Sequence, residues 1–429
     1  MKFLKQLSLY TFVGFFNAGL SFLLMPYLSH YIDPAGYGIL SMINSFVTIL
    51  IPLVGLTAAG FIAVEFYRMK DKNEYASAFS SIQAIPILPG LLILLVTIFF
   101  PSQIARFLEI PSGKTYWIPL SVLIALLSIY YDTLMTYVVI EQKPVLYVKY
   151  SIVRVLMEVG LTVLFISIFQ LSWEGRLLSW LIATMISFLI SVYYFRSQRL
   201  LTLKIKRKYI RAGILFGLPL ILHTIGKFVI NQSDRIFIAK MVSIEEAGIY
   251  NIGYQVGMVI LLFVNAVGNF FQPFLYQRLA NLTESAKLEI VKTIYATILG
   301  LLFSLILLTL GAPLLFKLLI DKSYSDGLIY VFWTGLSYFF WGIYILFTGF
   351  IFYEKQTKQL GYLAILNVGL NVVLNYVLIQ KFGALGAVYA TCISFFVVAA
   401  IVVWRGSSLF NLPWFEFKKV LSKKNMAQV

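Results

Sequence analysis

The sequence predicts an all-α, polytopic membrane protein of about 12 transmembrane helices in two six-helix lobes around a central cavity. Three observations predict it. Sixty per cent of the 429 residues are hydrophobic and only 12% are charged, against about 25% charged in a soluble domain. The apolar residues gather into segments of roughly 20, enough to cross a bilayer core of ~30 Å at ~1.5 Å per residue. The longest polar connection, residues 196–211, is too short to fold as a domain.

The expected spans are 10–30, 38–63, 79–100, 116–139, 147–170, 177–195, 213–239, 247–275, 290–316, 328–353, 359–380 and 384–404. Span one is too long for a cleavable signal peptide and lacks a small-residue cleavage site. Of the 34 Lys and Arg, 24 fall on the side that holds both termini. They include Lys2, Lys5, Arg68, Lys70, Lys72 and the seven between 196 and 211. The other side holds seven, and Arg154, Lys227 and Arg235 lie within spans. This asymmetry predicts cytoplasmic termini. It also turns the net charge of +16 from a nucleic-acid signal into a topological one.

Span four carries Asp132, which is locally alone. It can pair with Arg154 or Lys227, or carry a proton. Span five carries Arg154 and Glu158, an i,i+4 pair able to neutralise itself, with anion binding or proton coupling as the other reading. Span six holds Ala183-Thr184-Met185-Ile186-Ser187, and span twelve repeats it as Ala390-Thr391-Cys392-Ile393-Ser394, 207 residues later. The turns Ala35-Gly36-Tyr37-Gly38 and Ala247-Gly248-Ile249-Tyr250 repeat at nearly the same separation. Two parallel halves follow, 1–200 and 201–405, with 406–429 as a cytoplasmic tail. The 196–211 connection and the tail from Pro413, with Trp414, Phe417 and Leu421 among lysines, read as interfacial segments.

A charge at the bilayer centre costs ~2.5–3.5 kcal/mol, so charged residues in spans face a cavity or a partner. In span seven His223, Lys227, Asn231 and Asp234 form one helical stripe, with Arg235 beside it. Lys227 is the candidate to hold a phosphate; the alternative is an internal network. Asp234 and Arg235 are expected nearer the outer surface. Span eight carries Asn251, Gln255, Asn265, Asn269 and Gln272, expected to face a polar cavity. Asn367, Asn371 and Asn375 in span eleven have the spacing of helix-to-helix glue. Cys392 is the sole cysteine and reads as a packing residue. No metal-ligand set, Walker A motif, dinucleotide fingerprint or Gly-x-Ser-x-Gly elbow is present, so no cofactor, no metal and no ATP hydrolysis are expected.

Phe216-Gly217-Leu218-Pro219, Asp234-Arg235-Ile236-Phe237-Ile238 and Ala247-Gly248-Ile249-Tyr250 resemble the start of the second half of bacterial polysaccharide flippases. Asn367 through Asn375, Gly383-Ala384-Leu385-Gly386-Ala387, and in the first half Pro26, Asp33-Pro34 and Gly36-Tyr37-Gly38, resemble the same group. This is the Wzx-like polysaccharide transporter family of the multidrug/oligosaccharidyl-lipid/polysaccharide flippase superfamily. The chain lacks the two extra terminal spans of lipid II flippases. The resemblance implies a V of two lobes around a cationic cavity, and a bacterial cytoplasmic-membrane location. It implies export of undecaprenyl-diphosphate-linked repeat units for O-antigen, capsule or exopolysaccharide, without catalysis.

Arg154, His223, Lys227, Asn231, Asn251 and Gln255 are then the substrate candidates, and Glu158, Asp132 and Asp234, in that order, the carboxylates for proton coupling as an antiporter. Partners would be the lipid-linked substrate, membrane lipids and polymerase and chain-length machinery, with the transporter itself a monomer. Two other readings remain. One is a multidrug exporter of the same fold, which needs an apolar, acidic cavity. The other is a membrane-embedded glycan polymerase, ligase or glycosyltransferase, which needs a sizeable outer loop or clustered carboxylates.

Overall fold

A computed structural model describes residues 2–416, apart from the side chains of residues 2–8, 10, 11, 222, 223, 227 and 357. Among these residues, 12 helical stretches are long and apolar enough to cross a membrane, matching the expected spans one for one. The outward faces support that reading. On α13 (Glu284–Leu319), Leu299, Leu302, Phe303, Ile306, Leu310, Leu314 and Leu318 are exposed at helical spacing. Ile290, Ile294, Leu301, Leu305 and Phe316 of the same helix are buried. A helix with apolar residues on its exposed face suits lipid, not water.

The chain divides into two compact units, Met1–Lys240 and Met241–Val429. The first holds α1 (Lys2–Tyr31), α2 (Pro34–Gly55), α3 (Ala59–Arg68), α4 (Lys72–Ala84), α5 (Ile87–Phe99), α6 (Pro101–Phe107), α7 (Trp117–Ile140), α8 (Pro144–Val163), α9 (Trp173–Ser197) and α10 (Arg207–Met241). The second holds α11 (Ile244–Gly257), α12 (Val259–Ala280), α13, α14 (Leu328–Tyr353), α15 (Thr357–Phe382) and α16 (Leu385–Leu409).

The division falls one helix later than 200 because α10 is stitched into the first unit. Span two is not continuous: it breaks between α2 and α3, where Leu56 and Thr57 adopt left-handed φ of 47° and 48°. Such values strain residues that carry a Cβ. The break docks on α10. Thr57 Oγ1 donates to the Gly217 carbonyl at 2.5 Å. A Cβ on Gly217 would lie 1.9 Å from the Leu56 carbonyl oxygen, so only glycine allows this approach. Pro219 also lies inside α10. Spans three and eight are broken as well, at Ile85-Pro86 and at Met258 after Gly257.

The basic 196–211 connection is held by protein rather than lipid alone. Ser77 donates to the Lys204 carbonyl at 2.5 Å and Ser80 to the Leu200 carbonyl at 2.9 Å. Ser80 and Ser81 accept the amides of Thr202 and Lys206. Leu201, Leu203 and Ile205 stay exposed for contact with an interface. Part of the tail also folds back. Trp414 stacks on Phe347 at 5.5 Å and its carbonyl accepts from Tyr295. Phe417 and Leu421 lie outside the described residues.

In the second unit α14 is the centre, packed by α11, α12, α13 and α16. Gly386, a residue of the family motif, sets the α15–α16 turn. A Cβ there would sit 2.2 Å from the Leu378 carbonyl carbon and oxygen. Tyr250, another motif residue, is fully buried and packs on Tyr254 and Tyr330; Gly248 is buried beside it.

Candidate functional site

Each unit carries polar residues within its spans, and each set is arranged differently. In the first unit Asp234 and Arg235 of α10 are internal. Arg235 Nη1 lies 3.0 Å from Asp234 Oδ1 and donates to the Asn231 carbonyl at 2.6 Å. Neighbours in a helix point about 100° apart, so the guanidinium folds back to reach both. Asp234 is 1% and Arg235 4% exposed. The two charges are therefore neutralised against each other inside the protein. Asn231 is exposed and already engaged in an interaction. The side chains of His223 and Lys227 lie outside the described residues.

The i,i+4 pairing of Arg154 with Glu158 is corrected. Glu158 Oε1 meets Arg176 Nη2 of α9 at 2.6 Å. Arg176 donates from Nη1 to Thr162 Oγ1 at 3.3 Å, and Thr162 shares a 2.7 Å hydrogen bond with Ser179. The reason is position: Glu158 lies a turn closer than Arg154 to the short connection that brings α9 back alongside α8. Arg154 instead lies over the Tyr131 ring, 4.3 Å from its centroid. Among the described residues no carboxylate lies within ion-pair distance of Arg154 or cation of Asp132. Arg154 is half-buried and Asp132 exposed on the first unit. Of the three coupling candidates, then, Glu158 and Asp234 are already paired and Asp132 is not.

In the second unit the amides of span eight separate into two groups. Asn251 and Gln255 on α11 are half-buried and already engaged. Asn265, Asn269 and Gln272 on α12 line a hollow of ≈ 440 Å³, closed by Gly268, Pro273 and Tyr276 and backed by Val264 and Ile345. The spacing 265, 269, 272, 276 is one helix face. Asn371 and Asn375 do what the spacing of Asn367, Asn371 and Asn375 predicts, whereas Asn367 Oδ1 has no partner among the described residues. All three are buried, Asn375 donates to Asn371 at 3.0 Å, and Asn371 donates to Thr391 and Ser394 of α16. Cys392 is buried beside them.

The sequence missed Arg176 as the partner of Glu158, because the helix-spacing rule compares residues only within one helix. It missed Tyr276 and Pro273 as walls of the hollow, although both extend the α12 periodicity. Among the described residues no group of three or more His, Cys, Asp and Glu has metal-site geometry.

The fold and these polar sets define a multi-pass membrane protein of two compact helical units. Comparison with known proteins takes the assignment further. A family described as "Polysaccharide biosynthesis protein" matches residues 3–274, and the chain belongs to it. An uncharacterized membrane protein of Haemophilus influenzae is 26% identical over 377 residues, covering 86% of this chain and 88% of its own. Among solved structures, the lipid II flippase MurJ in an inward closed conformation matches with a TM-score of 0.69 at 16% identity, over 92% of this chain and 87% of its own. An inward-facing multidrug resistance transporter of the MATE family matches with a TM-score of 0.67 at 13% identity, over 91% and 95%. At these identities the structures share the fold. That fold and family are the ones the sequence resemblance implied.

Proposed function

We propose that the protein moves oligosaccharide repeat units linked to undecaprenyl diphosphate from the inner to the outer leaflet of a bacterial cytoplasmic membrane, by alternating access. Both termini face the cytoplasm in this reading. The observation that carries it is the polysaccharide biosynthesis family match on a fold shared with a lipid II flippase. The chemistry supports it. A diphosphate-sugar head cannot cross hydrocarbon unaided, and translocation needs shelter for the head but no covalent step. Arg154, half-buried on Tyr131 and without a carboxylate at ion-pair distance among the described residues, is a cation available to a diphosphate. Lys227 is the cation that the sequence ranks first for this role, and its side chain lies outside the described residues. The unpaired amides of α12 suit the sugars.

Asp132 takes the first place among proton carriers, since Glu158 and Asp234 are held by arginines. Moving one charge across 100 mV supplies ~2.3 kcal/mol, enough for about 50-fold accumulation without ATP.

The test is leaflet-resolved. Depletion in cells should leave lipid-linked oligosaccharide on the cytoplasmic leaflet. Purified protein in vesicles should expose a fluorescent lipid-linked oligosaccharide to an external quencher, faster under a proton gradient, with the gradient effect lost in Asp132→Asn. Unchanged leaflet distribution on depletion would overturn the function. Equal rates in the two proteins under the gradient would remove Asp132 alone.

A further inference from the structure

The α12 hollow differs in kind from the charged clusters of the first unit. Asn265, Asn269 and Gln272 have no hydrogen-bond partner within the protein among the described residues, although each amide offers two donor hydrogens and an acceptor oxygen. Facing hydrocarbon, such groups would cost several kcal/mol each, so this face meets water or a polar ligand. Pro273 adds to the supply. It has no N–H for the carbonyl of Asn269 one turn earlier, so that oxygen lacks its helical donor. Tyr276 contributes a ring, held against Tyr353 at 5.9 Å. Gly268 keeps the floor open; a Cβ there would reach within 3.1 Å of Ile345. Among the described residues no charged side chain lines the hollow. Its ≈ 440 Å³ sits at the small end of ligand pockets, with room for about one or two sugar rings.

These properties select a ligand class. Neighbouring sugar hydroxyls each donate and accept, and adjacent amides on one helix face can meet them in pairs. The C–H face of a sugar ring is apolar and packs on an aromatic ring or a proline. A carboxylate or phosphate in the same place would be desolvated with no cation to meet it, which is costly. Building on the transport reading, we propose that the α12 hollow is a subsite for an uncharged sugar of the lipid-linked oligosaccharide, and that it excludes uronic, sialic or phosphorylated sugars from that position. Charge recognition then belongs to the diphosphate end, and sugar identity to this hollow.

The probe is a panel of free disaccharides added to the full-length protein in nanodiscs and read by saturation-transfer NMR. Neutral members contain glucose, galactose, mannose, rhamnose or N-acetylglucosamine; acidic members are their uronic-acid counterparts. The expected result is transfer to at least one neutral disaccharide and none to its acidic counterpart. Asn269→Leu and Tyr276→Ala should each reduce that signal at least fivefold. Gln272→Lys supplies a cation at the same place and should gain transfer to an acidic disaccharide, a result misfolding cannot produce. Silence across the neutral panel, equal transfer to acidic members, or variants indistinguishable from the parent would each overturn the subsite. The leaflet assay separates the two claims. Transport that survives loss of the subsite variants' effect leaves the function standing without the subsite. Disaccharide binding in a protein that moves no lipid-linked oligosaccharide would overturn the function instead.

Discussion

The α8–α9 pair of the first unit and the α15–α16 pair of the second carry the same motif and are held together by different chemistry. In the first unit α8 and α9 meet through Glu158–Arg176 and the Thr162–Ser179 hydrogen bond. In the second, α15 and α16 meet through the ladder from Asn375 to Asn371 to Thr391 and Ser394. The Ala-Thr-x-Ile-Ser sequence occupies α9 in one case and α16 in the other. Its threonine is used in one only. Thr391 accepts from Asn371, whereas the Thr184 hydroxyl is buried with no partner among the described residues. One pair is fixed by neutral amides, which hold regardless of local charge. The other is fixed by an ion pair, whose strength depends on what charge comes near it. The motif thus recurs while the side-chain glue around it differs.

The largest expected effect comes from breaking the ion pair. Glu158→Gln leaves Arg176 partly buried without its carboxylate. That should cost ~3 kcal/mol of stability in detergent, the low end of the range for buried pairs because the side chains are 19% and 24% exposed. Glu158→Gln combined with Arg176→Gln should recover most of the loss, since no charge is then stranded. Arg154→Ala, removing a contact with the Tyr131 ring but no ion pair, should cost ~1 kcal/mol and show no coupling to Glu158. Strong coupling between 154 and 158 in a double-mutant cycle would restore the same-helix pairing. Next comes Asn371→Leu. It removes two donated bonds and the acceptor for Asn375, each worth about 0.6 kcal/mol inside a membrane bundle. A thermal-melting loss of ~1–2 kcal/mol is expected, and a loss near zero would mean that the ladder is ornamental.

The same contrast explains what the sequence made legible. Twelve spans were readable because length and hydropathy suffice to identify them. The Asn371–Asn375 ladder was readable because both amides lie at helical spacing on one helix face. Three features were not. The break at Leu56 and Thr57 is stabilised by Gly217, some 160 residues away, so nothing local announces it. Arg176 lies near the start of α9, and only the tight α8–α9 connection folds it onto Glu158. The serines of α4 look like ordinary small residues until the basic connection is seen lying across them. Contacts within a helix follow from periodicity, whereas contacts across a turn depend on a geometry that periodicity does not encode. In the candidate site this left the α12 face visible and the pairing of the charges hidden.

The smallest effect gives the sharpest comparison, because one substitution can be made twice in one motif. Threonine and valine have nearly the same shape and both are β-branched, so their helix costs cancel between sites. At 391 the change to valine removes the acceptor for Asn371 and leaves that amide's hydrogen buried without a partner. At 184 it removes a hydroxyl that is 0% exposed at residue level and already without a partner. Deleting one side of a made bond costs ~1 kcal/mol or more, while deleting an unsatisfied buried group is neutral or favourable. Thr391→Val should therefore lower the melting temperature, and Thr184→Val should leave it unchanged or raise it slightly. The difference between the two variants measures the amide ladder free of every cost that valine carries by itself. Equal losses at both positions would show that Thr184 has a partner such as a bound water, and that the two helical pairs are glued more alike than their side chains indicate.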